Sequence, residues 1–200
     1  MTKAQKDKKY PMSRALQGLA DKAKKEQKIT FKDIIEELGS QGFGLIIFLF
    51  ALPSALPLSA IPGFSFIFCL PIIFITLQII IGKHSLWLPK ALAKREINKD
   101  KLGHLIKKVL PYLGYMEKLL KPRFDFMTSS IMEKVHALTV LILSILVLLP
   151  IPLSNSIFAL IIIMFGLGLA NDDGICLALA YLAIVLAVLF ITSVFKLIFG

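Results

Sequence analysis

The residues best suited to chemistry in this 200-residue chain are few, and most lie inside or beside apolar runs. Gln78 follows Thr76 and Leu77 in a stretch that is otherwise apolar. A buried amide is costly without hydrogen-bond partners, so Gln78 either ties one helix to another or clamps a substrate or a backbone. Ser54, Ser59, Asn155 and Ser156 stand beside two proline interruptions. They either cap freed backbone groups or line a polar cavity. Lys83, Lys121 and Arg123 suit anionic headgroups, the guanidinium gripping phosphate with two hydrogen bonds at once. Glu117 either pairs with one of these cations or faces water. Asp172 and Asp173 either make a turn or, as a carboxylate pair at a membrane end, couple protons or cations.

Catalysis has little to stand on. The chain has no HExxH, no serine elbow, no phosphate-binding glycine loop and no acids spaced for a metal. His84, His104 and His136 are scattered, the first and last at expected membrane ends. Cys69 and Cys176 are far apart in apolar surroundings, which suits packing rather than a disulfide framework or metal site. The expectation is a protein that is not an enzyme and holds no cofactor.

The elements that must position these residues follow from composition. Hydrophobic residues make up 56% of the chain and charged residues 18%. A soluble domain of this size has too little polar surface to cover that load. Charge is also sorted along the chain. Residues 1–40 and 83–123 hold 21 of the 23 Lys and Arg, and residues 41–82 hold no charge. A net charge of +10 laid out this way reads as topology, because basic loops stay on the cytoplasmic side. Anionic headgroups are natural partners. Nucleic acid is a poor one, since exposed stacking aromatics do not alternate with the basic residues.

Five regions result. Residues 1–40 form a basic cytoplasmic segment without a signal peptide, beginning with a lysine-rich tail over 1–11. A short polar helix is expected over 14–27. Thr30 and Asp33 then open a second helix in capping-box spacing, which ends at Gly39. Residues 41–89 form a first membrane hairpin, re-entrant or fully spanning. Pro53, Pro57 and Pro62 predict irregular backbone from Leu52 to Gly63. Residues 90–132 carry Leu102, Leu105, Ile106, Val109, Leu110 and Leu113 at helical spacing with lysines between them. That predicts basic amphipathic helices bent near Pro111 and Gly114, lying on the inner leaflet or capping the membrane part. Residues 133–173 form a second hairpin broken at Pro150 and Pro152, and 174–200 a final transmembrane helix. Trp87 marks an interfacial belt.

The two breaks resemble each other. Leu56-Pro-Leu-Ser59 precedes Ser65-Phe-Ile-Phe, and Ile151-Pro-Leu-Ser154 precedes Ser156-Ile-Phe. An internal repeat of this kind, interrupted at corresponding places, points to a transporter's midplane site. The charged region between the copies favours a parallel orientation.

These stretches resemble the exopolysaccharide-synthesis ExoD family of bacterial membrane proteins. The likeness lies in LPSALPLSAIPGFSFIFCLPIIFITLQIIIGKHSLWLP (52–89), in Glu117…Lys121-Pro-Arg123, and in LPIPLSNSIFALIIIMFGLGLANDDG (149–174), and it runs from about Ile34 to the end. The chain departs from the family pattern at Ser59, where proline is common, at Lys83-His84, a reduced basic cluster, and at Asp172-Asp173. The resemblance implies a link to polysaccharide production at the inner membrane, and the charge pattern makes the chain multi-pass with its N-terminus in the cytoplasm. With the paired breaks and basic rim, the leading expectation is transport or scrambling of a lipid-linked phosphate such as polyprenyl phosphate. An ion- or proton-coupled exchanger and a non-transporting assembly partner of polysaccharide synthases are the other readings, and a homo-oligomer is compatible with each.

Overall fold

The computed structural model describes Gly18 and residues 29–39, 41–55, 64–83, 86–87, 96–97, 120–149 and 154–199. Among these, six helices carry the fold: α1 (Phe31–Leu38), α2 (Gln41–Ala55), α3 (Phe64–Ile80), α4 (Ser130–Leu148), α5 (Ser154–Asn171) and α6 (Gly174–Phe199). The architecture is all-helical apart from one small ladder. There β1 (Ile29–Thr30) pairs antiparallel with β2 (Glu96–Ile97), setting Ile29 opposite Ile97.

α1 forms where the sequence signals it. The Thr30 hydroxyl accepts from the Asp33 amide at 3.4 Å, and the Asp33 carboxylate accepts from the Thr30 amide at 2.8 Å. This closes both halves of a capping box. Gly39 ends the helix at φ +53, a left-handed conformation that favours glycine.

The four central helices make a ring. Each packs on its chain neighbour, α2 on α3 and α4 on α5, and the ring closes through α3 on α4 and α5 on α2. α6 lies outside, against α5. The closest approach is between α2 and α5. A Cβ on Gly44 would meet the Ala170 nitrogen at 2.3 Å, and one on Gly166 would meet the Phe48 nitrogen at 2.7 Å. Small residues let the two backbones touch, which is how helices associate where lipid replaces water.

Polarity is arranged inside out. Leu52, Phe66, Ile67, Leu70, Ile142, Leu182, Leu186 and Leu189 are exposed. His136, Thr76, Ser144 and Gln78 are buried beside Ile47, Ile72, Val140 and Phe165. A chain folded for water does the reverse. Thr76 and Ser144 answer their own hydroxyls, donating to the Ile72 carbonyl at 3.0 Å and the Val140 carbonyl at 2.7 Å. α4 and the stretch Gly174–Val194 of α6 are long and apolar enough to cross a membrane. α2, with 15 residues, is only ~22 Å long at ~1.5 Å per residue, short of the ~30 Å hydrocarbon core.

One expectation needs correcting. Irregular backbone was predicted from Leu52, yet α2 continues through Pro53 to Ala55, and α3 runs through Pro71. Pro53 lies in the last turn, so it deprives only the Leu49 carbonyl of a helical partner, and little helix remains to be disrupted. The rest of the first break, the 150–153 break, the 1–11 tail, the 14–27 helix and most of 90–119 lie outside the described residues. Within 90–119, Glu96 and Ile97 form a strand rather than helix. The cysteines sit as expected for packing: both are buried and unpaired.

Candidate functional site

The first turn of α4 and the last turns of α3 and α5 meet near the start of α2. Phe43, Ile79, Gly82, Lys83, Ser130, Glu133, Lys134, Leu169 and Asp172 line a cavity of about 210 Å³ there. All four helices of the ring contribute. Phe43, Ile79 and Leu169 make it apolar, while Lys83, Lys134, Glu133 and Asp172 make it charged. Since α2 and α4 begin at this end and α3 and α5 finish here, neighbouring helices run antiparallel. The starts of α2 and α4 therefore share one end of the bundle.

The electrostatics are uneven. Glu133 and Asp172 are both engaged by other groups. Neither Lys83 nor Lys134 forms an ion pair among the described residues. The Lys83 ammonium lies 5.0 Å from the centre of the Trp87 ring, a cation–π contact. The Lys134 ammonium would lie 3.7 Å from a Cβ on Gly82, whose φ of +84 turns the chain out of α3. The cavity thus presents two ammonium groups that have no carboxylate partner among the described residues.

Gln78 acts as a backbone clamp. Its Oε1 accepts from the Trp87 amide at 2.7 Å, and its Nε2 donates to the Trp87 carbonyl at 3.3 Å. Both ends of the amide are satisfied by one residue nine positions on. The clamp folds the segment after α3 back along the helix, sets the Trp87 ring 6.2 Å from Phe74 and holds it beneath Lys83. Trp87 itself is half exposed, as an interfacial tryptophan is.

The two aspartates divide the work. Asp173, 2% exposed, is given over to backbone. Its Oδ1 accepts from the Ile175 and Cys176 amides at 2.9 and 3.2 Å, capping α6, and its Oδ2 accepts from the Lys121 amide at 2.9 Å. Asp172 adopts φ +52 at the turn and reaches the cavity wall. The Arg123 carbonyl accepts from the Gly174 amide at 2.8 Å, which straps 121–124 across the α5–α6 junction. A Cβ on Gly174 would meet that carbonyl at 2.7 Å. Lys121 and Arg123 are exposed, held by this strap beside the charged end.

Ser54, Asn155 and Ser156 lie elsewhere. Their helix ends are the far ends of α2 and α5, roughly 16–21 Å from the cavity residues Phe43 and Leu169 by helix rise. The Ser54 hydroxyl, beside the Cys69 thiol, and the Asn155 Oδ1 are buried without a regular hydrogen-bond partner among the described residues. The helix starts at Phe64 and Ser154 likewise point away from the charged cavity. Ser59 and Glu117 lie outside the described residues, as do His84 and His104.

Lys134 escaped the sequence reading, and His136 was expected in a different setting. Lys134 is an isolated cation at the start of an apolar run, and only the fold brings it opposite Lys83. His136 was expected at an interface, but it is fully buried, with Nε2 2.8 Å from the Met127 carbonyl and Nδ1 2.8 Å from the Tyr181 hydroxyl. A polar residue in the turn before it is the only sequence sign, and that sign is common.

An apolar exterior, two helices of spanning length and a charged cavity at one end define the build of a membrane helix bundle. The chain belongs to the exopolysaccharide-synthesis ExoD family, whose profile matches residues 12–193. It is 34% identical to Protein ExoD of Rhizobium meliloti over 161 residues, covering 78% of this chain and 66% of that protein. It is 32% identical over 168 residues to an uncharacterised protein of Synechocystis sp., covering 82% of this chain and 79% of that one. The matched stretch is thus just under two thirds of the Rhizobium protein. No solved structure matches.

Proposed function

We propose that this protein carries or scrambles a lipid-linked phosphate across the bacterial inner membrane during exopolysaccharide production. The observation that supports this most is the cavity lined by Lys83 and Lys134 beside Phe43, Ile79 and Leu169, with neither lysine in an ion pair among the described residues. Two ammonium groups converging on one cavity suit an anion, and phosphate oxygens accept several charge-assisted bonds at once. Its volume is below the roughly 300–1,000 Å³ of a pocket that encloses a drug-sized ligand. It therefore suits a headgroup, with the lipid chain left along the apolar exterior.

The reading includes topology. The charged end faces the cytoplasm with the N-terminal segment, and α2–α3 and α4–α5 are two parallel copies of one hairpin. The ring supports the repeat. Exchanging α2 with α4 and α3 with α5 maps each main contact of the ring onto another, as a two-fold axis along the bundle requires. This arrangement also moves the breaks away from the headgroup site. The hairpin tips are then the second station of the path, where the buried Ser54 and Asn155 oxygens offer polar contacts.

Reconstitution in proteoliposomes carrying labelled polyprenyl phosphate tests the proposal. Flipping above the rate of empty vesicles is expected, with loss in Lys83→Gln/Lys134→Gln. A wild-type rate equal to that of empty vesicles would sink it. An exchanger driven by the carboxylates predicts instead that Asp172→Asn alone abolishes flux, with Asp173 left to cap α6.

A further inference from the structure

Directly beneath the cavity lies a second polar layer. His136 follows the cavity residue Glu133 by three positions on α4, so the two share a face one turn apart. Phe165, four positions before the cavity residue Leu169 on α5, packs on the His136 ring at 5.9 Å. Tyr181 of α6 completes the layer, 5.1 Å from Phe165 and edge-on to it. A carbonyl can only accept, so the 2.8 Å contact to Met127 fixes a proton on His136 Nε2. The other nitrogen has two complete arrangements. In the neutral ring, Tyr181 donates to Nδ1. In the charged ring, Nδ1–H donates to Tyr181, whose hydroxyl turns to the Thr139 hydroxyl 3.4 Å away, and Thr139 donates to the Val135 carbonyl at 2.9 Å. The polar atoms of this layer keep a partner in either state.

We infer that His136 is a proton-binding site of the bundle, taking the proton at Nδ1 while the Tyr181 hydroxyl turns from that nitrogen to Thr139. On acidification a hydronium ion gives up the proton and leaves as water, and the imidazole gains one N–H bond and the positive charge. The elements around the ring carry Glu133 and Lys134 on α4, Arg123 and Asp125 before it, Asp172 and Asp173 after α5, and Cys176, Tyr181 and Lys196 on α6. Tyr181 alone of these bonds the ring. Glu133 is the carboxylate placed on its face of α4, one turn nearer the cavity, where its negative charge favours the imidazolium. Proton uptake here changes the field at the cavity floor, which links it to the charge of whatever occupies the cavity. This inference stands on the geometry of the bundle and holds whichever headgroup the cavity takes.

The test uses the full chain in lipid nanodiscs. His84→Gln with His104→Gln leaves His136 as the one imidazole, and ¹⁵N-histidine spectra are followed from about pH 8 to about pH 5, the span in which histidine changes charge. The expected result is a neutral ring protonated on Nε2 at the upper end, giving way to imidazolium on acidification. Tyr181→Phe leaves less imidazolium at each pH, and Glu133→Gln does the same. If the double variant does not fold, His136→Gln in the otherwise unaltered chain marks the same signal by its loss. A ring that stays neutral throughout, or a Tyr181→Phe titration that superimposes on the parent's, overturns the inference.

Discussion

The α2–α5 and α3–α4 seams hold the same place in the ring but are built in opposite ways. At α2–α5 the backbones touch, because Gly44, Gly166 and Ala170 leave no side chain between them. At α3–α4 the contact is made of side chains, with Ile72, Val140 and Val147 fully buried and Cys69 beside them. The difference teaches which seam can yield. Backbone contact tolerates no added volume, whereas a side-chain seam has rotamers to rearrange. The α2–α5 seam is then the rigid spine, and any yielding around the cavity falls to the seam of α3, which Lys83 follows, and α4, which carries Lys134.

Four substitutions would break or sharpen this contrast, each read by thermal unfolding in one detergent. Gly44→Ala is expected to cost most, up to about 3 kcal/mol, because its Cβ meets backbone at 2.3 Å. That corresponds to a fall in Tm of roughly 2–4 °C per kcal/mol. An unchanged Tm would mean that α2 and α5 can part freely. Gln78→Leu removes both bonds to Trp87 and should cost about 2 kcal/mol, together with a change in Trp87 fluorescence as the ring leaves Lys83. Ile72→Val, in the side-chain seam, should cost about 1 kcal/mol. Ser144→Ala should stay within about 0.5 kcal/mol, since the lost bond is to its own helix. A Ser144 effect larger than that of Gly44 would reverse the assignment of rigid and yielding seams.

Local signals were legible in the sequence, and convergence across distance was not. Thr30 and Asp33 announced the start of α1, and Gly39 its end, because a capping box needs only four consecutive residues. Asn171–Gly174 announced the α5–α6 turn in the same way. Pro53 misled, since a proline's effect depends on how much helix follows it. The amide of Gln78 was readable as a clamp, but its partner Trp87 was not, for no rule of spacing fixes which backbone a long side chain reaches. The cavity was least legible of all. Lys83 and Lys134 are 51 positions apart, and His136 and Tyr181 are 45 apart. Only the closing of the ring brings these pairs together.

The central claim is that the cavity holds an anionic headgroup, and Trp87, the single tryptophan of the chain, reports on it through Lys83. The decisive measurement is a fluorescence titration of the purified protein with a short-chain polyprenyl phosphate, beside the Lys134→Gln variant, which leaves the Lys83–Trp87 contact intact. The account predicts a saturable change in the wild type and an affinity about tenfold weaker in the variant, as loss of one charge-assisted bond implies. Equal affinities in the two proteins, or no saturable change in the wild type, would contradict it.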